Sequence, residues 1–256
     1  MSVIKLRRNE PAFGVMLRAV RMPAVVLMAR HAGFDFVMVD MEHGTYSLGE
    51  AENLFSAAAG AGLDAYVRVP ELSRGCVSRA LDSGARGVMA PMLETAEQAR
   101  ALVGWAKYPP LGGRGLATSG AHTGWHRGLA AADIMAEANR STLSIAQIET
   151  ARAVANIEEI AQVEGLDALL IGPNDLAVSL GCPGNLDTPE EAEAIASVAE
   201  AAQRNGKIFG MHASAAMLSR WAGKGLRLVM HSLDSEILAQ GLKAAAEAAK
   251  GAVGSE

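Results

Sequence analysis

The stretch FDFVMVDMEHG, Phe34 to Gly44, is apolar from Phe36 to Val39 and then places Asp40, Glu42 and His43 close together. An imidazole beside carboxylates can take up and return a proton near neutral pH, and a carboxylate can fix its orientation. The same pattern, a short apolar run ending in polar residues, recurs along the chain. YVRVP carries Arg68, AQIET carries Gln147 and Glu149, IGPND carries Asp175, and MHAS carries His212 and Ser214. The last run exits into HSLD, whose Asp234 is expected to be a helix N-cap; Asp175 is open to that reading too. Arg68, Gln147 and Glu149 stand at or beside the ends of apolar runs, where an unpaired charge is costly to bury. Glu149 and Asp175 suit a hard divalent cation, which prefers oxygen ligands and keeps positions open for water and substrate. The alternative is that both carboxylates pair with Arg68, and spacing does not choose between the two. No lysine ends a predicted strand, so carbonyl chemistry here is expected to use a metal as electron sink, not an imine.

These residues need a frame that brings strand ends together. Candidate strands are Phe13–Leu17, Asp35–Val39, Ala65–Val69, Gly87–Ala90, Leu143–Ile148, Ala168–Ile171, Lys207–Met211 and Arg227–Met230. Helical patterns follow near Pro23–Ala32, Leu48–Ala61, Arg74–Ser83, Ala96–Lys107, Ala151–Val163, Pro189–Asn205, Ala215–Gly223 and Ser235–Lys250. Gly33, Gly62, Gly84, Gly165, Gly206 and Gly225 lie at helix ends, where a left-handed cap is wanted. Eight strand–helix units in 256 residues predict one α/β domain over residues 1–256, a (β/α)8 TIM barrel with its active site at the carboxyl ends of the strands. A doubly wound sheet is the runner-up, but MLRAVRMP stands where its Gly-rich turn would follow the first strand. The long connection from Tyr108 to Thr142 holds PPLGGRG, SGAHTGWHRG and a helical stretch, Ala130–Asn139, and its length marks it as functional or mobile.

Composition narrows the classes. Half of the residues are hydrophobic, enough for one large core, and the net charge of −5 with no basic run argues against nucleic acid. KLRR, Lys5 to Arg8, is expected to be a solvated arm. Asn9, Glu10 and Pro11 follow it where a secretory signal would have an apolar core, and no apolar run is long enough to span a bilayer. Cys76 and Cys182 form no CxxC pair, so free thiols in a reducing cytoplasm are expected.

DMEHG, VRVP, LDSGARGVMAPML, YPPLGGRG, QIET and IGPNDLA, in this order, resemble the HpcH/HpaI class II aldolases, the metal-dependent pyruvate aldolases. The resemblance runs from about Gly14 to the C-terminal helix. It implies reversible cleavage of a 4-hydroxy-2-oxo acid to pyruvate and an aldehyde, with Mg2+, Mn2+ or Co2+ stabilising the pyruvate enolate. By resemblance, Glu149 and Asp175 are the metal ligands and Arg68 stabilises the enolate oxygen. Gly172, Pro173 and Asn174 wall the pyruvate carboxylate, and Gln147 holds a pocket water or the substrate. His43 is the base for the C4 hydroxyl, Asp40 orients its imidazole, and Glu42 braces the metal's surroundings or a nearby backbone. Asn174 stands where relatives usually carry a small residue, and His212 where they carry an apolar one. His212, with His122, Trp125 and His126, is expected to shape the acceptor side. The family further implies a homohexamer, a trimer of dimers, with the last helix exchanged and Asp82 reaching a neighbour's site. Asp82 is equally readable as a helix-end aspartate beside Gly84. A CoA-ester lyase, an oxaloacetate decarboxylase and a non-catalytic barrel are the competing readings; no basic patch awaits CoA phosphates, and every expected polar position is filled.

Overall fold

The computed structural model describes residues 2–254. Eight parallel strands close in sequence order: β1 (Ala12–Leu17), β2 (Phe36–Asp40), β3 (Asp64–Arg68), β4 (Gly87–Ala90), β5 (Leu143–Ile148), β6 (Ala168–Ile171), β7 (Ile208–His212) and β8 (Leu226–Leu233). The helices are α1 (Ser2–Arg7), α2 (Ala24–His31), α3 (Leu48–Ala61), α4 (Arg74–Asp82), α5 (Ala96–Ala106), α6 (Ala131–Ser141), α7 (Ala151–Ala155), α8 (Ile157–Ala161), α9 (Pro173–Ser179), α10 (Pro189–Arg204), α11 (Ala215–Trp221) and α12 (Asp234–Val253). The chain is a (β/α)8 barrel, as its alternation predicts. All six predicted cap glycines have positive φ.

Alternation along each strand sorts the core into two. Met16, Phe36, Met38, Tyr66, Met89, Ile145, Leu170 and Met230 belong to the smaller cluster, which fills the barrel. Val15, Leu17, Val37, Val39, Val67, Val88, Ile148 and Ile171 join the helix residues of the larger one. The first cluster explains why KLRR is not a solvated arm. It lies in and beside α1, whose Val3 and Leu6 are buried in the barrel cluster. Ser2 bonds the Asp64 carboxylate at 2.8 Å, and Lys5 pairs with Asp35 at 2.6 Å, so α1 plugs the amino-terminal end.

Three further departures matter for the site. The predicted helix Ala151–Val163 breaks at Asn156, whose side-chain amide donates to the Glu94 carbonyl. A helix not expected from the sequence, α9, starts with Pro173 directly after β6. Asp234 is not an N-cap: it is the first helical residue of α12, buried, and its carboxylate accepts the backbone N–H groups of Arg18, Ala19 and Val20 at 2.9, 3.0 and 2.7 Å.

Candidate active site

Asp40 and Arg68 close β2 and β3 and are Cα partners in the ladder between them. That register brings the two side chains together. Arg68 donates through Nε to Asp40 Oδ1 at 2.9 Å and through Nη2 to Oδ2 at 2.8 Å, a bidentate pair. Its Nη1 lies 2.9 Å from Glu42 Oε2. Burial works against the guanidinium's charge, but Asp40, Glu42 and Glu149 outweigh it and raise its pKa.

Asp40 also accepts the backbone N–H groups of Glu42 and His43, at 3.1 and 3.3 Å, and the Nε–H of Arg18 at 2.9 Å. This corrects its expected role. Asp40 holds the His43 loop by its backbone, and the carboxylate beside the imidazole is Glu42, whose Oε2 is 3.8 Å from His43 Nε2. The tight turn needs Gly44, since a Cβ there would collide with the Asp40 carbonyl oxygen. His43 is half exposed and faces solvent, as a proton-transfer group that meets substrate must.

Across the barrel, Glu149 follows β5 and is buried. Its Oε1 accepts the Met92 N–H at 2.7 Å, and its Oε2 accepts from the Gln147 side-chain amide. Met92 reaches this position with φ of 50°. Burial pushes the Glu149 carboxyl up to about 7; the charges of Asp175 and Glu42 add to the rise, against the Met92 N–H and Arg68. The Arg68 ion pairs are with Asp40 and Glu42, so the alternative that Glu149 and Asp175 are its partners does not hold. Gly172 leaves room at this point: a Cβ would lie 2.5 Å from Glu149 Oε2 and 2.8 Å from Gln147 Nε2.

The turn into α9 offers fewer donors than expected. The Gly172 N–H bonds the Ile148 carbonyl at 3.2 Å and Pro173 has none, which leaves the N–H groups of Asn174 and Asp175, both exposed. His212 ends β7 with Nε2 3.2 Å from the Ser232 carbonyl. Burial holds its imidazole below the ordinary range; Ser232 opposes this, and the charges of Arg68 and Arg18 reinforce it.

Two groups lie elsewhere. Asp82 ends α4 and pairs with the buried Arg114 at 2.6 Å. The Tyr108–Thr142 connection joins α5 to β5, so topology puts it at the amino-terminal end of the barrel. His122 bonds the Ala117 carbonyl there at 3.0 Å, and Ala121 packs by Gly84. His122, Trp125 and His126 therefore do not line the mouth of their own chain, contrary to expectation. The buried Lys107 and the half-buried Lys207 are also at that end: Lys107 pairs with Asp167 at 2.7 Å, and Lys207 donates to the Val163 and Leu166 carbonyls.

One residue in the mouth was missed. Arg18 is the first residue after β1, and the rule that found the others, the first polar residue beyond each apolar run, applies to it equally.

Five hydrogen bonds converge on the buried Asp40 carboxylate, two of them from Arg68, and a buried guanidinium fixed in this way at the carboxyl ends of a parallel barrel defines a barrel enzyme for a small-molecule substrate. The chain belongs to the HpcH/HpaI aldolase/citrate lyase family, whose model matches residues 15–240, and it is a carbon–carbon lyase. It is 38% identical over 234 residues to the 4-hydroxy-4-methyl-2-oxoglutarate aldolase cghB of Chaetomium globosum, covering 89% of this chain and 86% of that one. It is 32% identical to the 2-keto-3-deoxy-L-rhamnonate aldolase of Salmonella gallinarum, over 93% of this chain and 88% of the relative. The crystal structure of an HpcH/HpaI aldolase from Desulfitobacterium hafniense superposes with a TM-score of 0.91 at 35% identity, covering 96% and 95% of the two chains.

The residues fit the divalent cation on which metal-dependent members of the family rely. With every group ionised, Asp40, Glu42, Glu149 and Asp175 bring four negative charges, and Arg18 and Arg68 are the arginines paired with this set among the described residues, which leaves two negative charges. The Gln147 Oε1 beside Glu149 is buried without a hydrogen-bond partner. Among the described residues no three His, Cys, Asp or Glu side chains form a cage, so protein would supply few ligands and leave the rest of the shell open. No helix among the described residues is long and apolar enough to cross a membrane.

Proposed function

We propose that this chain cleaves 4-hydroxy-2-oxo acids reversibly to pyruvate and an aldehyde or ketone acceptor, with Mg2+, Mn2+ or Co2+ held by Glu149 and Asp175. The observation that carries the reading is the buried Arg68, held bidentate by Asp40 at the same opening as the uncompensated Glu149. The substrates named for the Chaetomium and Salmonella relatives are both 2-oxo acids with a hydroxyl at C4. The cation supplies charge stabilisation at the 2-oxo acid's oxygens. Arg68 donates to the keto oxygen as negative charge develops, already oriented and desolvated. His43 removes the C4 hydroxyl proton, and Glu42 beside it favours the imidazolium that results. Gln147 fixes the Glu149 carboxylate, and the Asn174 and Asp175 amides are the donors left for the pyruvate carboxylate.

The reading extends to assembly: a cytoplasmic homohexamer, a trimer of dimers, with α12 exchanged between partners. Supporting it, Ile237, Leu238 and Leu242 on α12 are 46%, 50% and 71% exposed, an apolar face its own barrel leaves uncovered. Asp82, Arg114 and the His122–His126 loop then belong to a surface offered to a neighbour's mouth. Pyruvate release from a panel of 4-hydroxy-2-oxo acids, with each metal and after EDTA, tests the function. Glu149→Gln and Asp175→Asn are expected to abolish release without unfolding the barrel. His43→Ala is expected to cost about a hundredfold in cleavage and less in deuterium exchange at the pyruvate methyl group. Full activity after metal stripping would refute the reading.

A further inference from the structure

Arg18 is tied to the site at one nitrogen only. Its Nε–H bonds Asp40 Oδ2, the oxygen that also accepts Arg68 Nη2, so two guanidinium groups meet on one carboxylate. Arg18 remains a third exposed, and among the described residues its two Nη groups make no hydrogen bond or ion pair. Its backbone is rigid: Asp234 takes the N–H groups of residues 18 to 20, and Tyr46 donates to the Val20 carbonyl at 3.0 Å.

Position in the barrel gives these free donors a purpose. Gln147 lies on β5 and Glu149 follows it, and β1, which leads into Arg18, is diametrically opposite in the closed order. Arg68 on β3 lies between them. A 2-oxo acid anchored near β5 and β6 with its keto oxygen toward Arg68 extends its far half toward β1. There it meets Arg18 and His212, close enough to each other that the Arg18 charge affects the imidazole. The two offer different chemistry. A neutral His212 that donates Nε2–H to the Ser232 carbonyl has only the acceptor Nδ1 left, which suits a hydroxyl and repels a carboxylate. A guanidinium with two free amino groups suits a carboxylate.

We propose that Arg18 forms a subsite for a carboxylate on the acceptor half, so that the preferred acceptor is a small 2-oxo acid or acid aldehyde and not a neutral polyhydroxy aldehyde. This rests on the aldolase reading above and adds the substrate class to it.

The test compares wild type, Arg18→Gln and Arg18→Lys on 4-hydroxy-4-methyl-2-oxoglutarate, whose far half is anionic, and on 2-keto-3-deoxy-L-rhamnonate, whose far half is neutral. Deuterium exchange at the pyruvate methyl group, which needs no acceptor, is followed in parallel. Wild type is expected to favour the dicarboxylate. Arg18→Gln should lower its kcat/KM roughly ten- to a hundredfold, mainly through KM, as expected for a lost charge-assisted bond. The neutral substrate and the exchange rate should change less than about threefold, within the reach of small rearrangements of Asp40, and Arg18→Lys should recover part of the loss. Equal losses on both substrates and in exchange would make Arg18 only a strut for Asp40 and overturn the subsite. So would a wild-type preference for the neutral substrate with normal exchange. No exchange and no cleavage in the metal-loaded wild type would bring down the aldolase reading and the subsite together.

Discussion

Asp40→Asn is the perturbation that most directly separates charge from shape at this site. The Asp40 carboxylate is fully buried and accepts three hydrogen bonds at Oδ1, from Arg68, Glu42 and His43, and two at Oδ2, from Arg68 and Arg18. An amide has one oxygen. If it faces Arg68 Nε and the two backbone N–H groups, its NH2 points at Arg68 Nη2 and Arg18 Nε, donor against donor; the flipped amide fails at the other set. Removing one partner of a buried charge pair typically costs about 3–5 kcal/mol. For a barrel of this size each kcal/mol is worth about 2–4 °C, so Tm should fall by about 6–20 °C. With Arg68 no longer aimed, kcat should fall by about 10²–10³.

The pH dependence checks the cause. Burial raises the Asp40 pKa, but the Arg68 hydrogen bond and charge, the His43 N–H and Arg18 outweigh it, so the net shift is below the ordinary 3.8. A depressed folded-state pKa gives stability that is present above the unfolded value and lost as pH falls through the folded one. Urea unfolding of both proteins should therefore show a wide, constant gap from about pH 7 to about pH 5 that narrows below about pH 4. A gap that does not narrow in acid, or one under about 1 kcal/mol at neutral pH, would refute the argument that the buried charge pair is what Asp40 contributes.

Lys107→Met removes a cation that is 1% exposed and 2.7 Å from Asp167, so a loss of about 3 kcal/mol is expected; Arg7 still pairs with Asp167, and urea midpoints against unchanged kcat check that this end is purely structural. Glu191 is fully buried with neither carboxylate oxygen hydrogen-bonded, and burial, then the Asp187 charge, raises its pKa against Arg220. A raised carboxylate favours the fold below the unfolded pKa and disfavours it above, so Glu191→Gln should stabilise by on the order of 1 kcal/mol at pH 7 and give no gain in acid; thermal melts at the two pH values decide. Replacing both Leu238 and Leu242 with aspartate should leave the barrel folded but shift light scattering to a smaller species, and an unchanged mass would remove α12 from the interface.

Much of this was legible in the chain. The ends of three strands, Gly87–Ala90, Leu143–Ile148 and Ala168–Ile171, and of the helix Leu48–Ala61 stand where the apolar pattern put them, because each is bounded by glycine, proline or a capping residue. Arg68, Gln147 and Glu149 were legible because a charged or amide group at the end of a buried strand has few bland explanations. What was hidden has physical reasons. α1 was masked by KLRR, since its buried apolar residues, Val3 and Leu6, are only one turn's worth of signal. α9 announced itself through Pro173 at its first turn, but GPND also reads as a loop. The resemblance implies that Asp40 serves the His43 side chain; ladder register across β2 and β3 gives it Arg68 instead. The resemblance points His122, Trp125 and His126 at the acceptor side, but chain direction puts them at the other end of their own barrel: a helix-to-strand connection lies away from the carboxyl ends.

Arg68 divides the carboxylates of the mouth into two sets with different duties. Asp40 and Glu42 neutralise the guanidinium and are neutralised by it, so they add little net field. Among the described residues Glu149 and Asp175 form no ion pair, and burial, with the charges of Asp175 and Glu42 added, pushes the Glu149 carboxyl up to about 7. A mouth made only for stability would have let Arg68 serve the more deeply stressed carboxylate. It serves Asp40 because ladder register makes that pairing, which supports the proposal that the other two carboxylates hold a cation while the fixed guanidinium meets the substrate oxygen. The same register bears on Arg18: Arg68 has Asp40 and Glu42, whereas Arg18 has only a share of Asp40 and is the more exposed of the two, which supports the proposal that its charge serves the far end of the substrate.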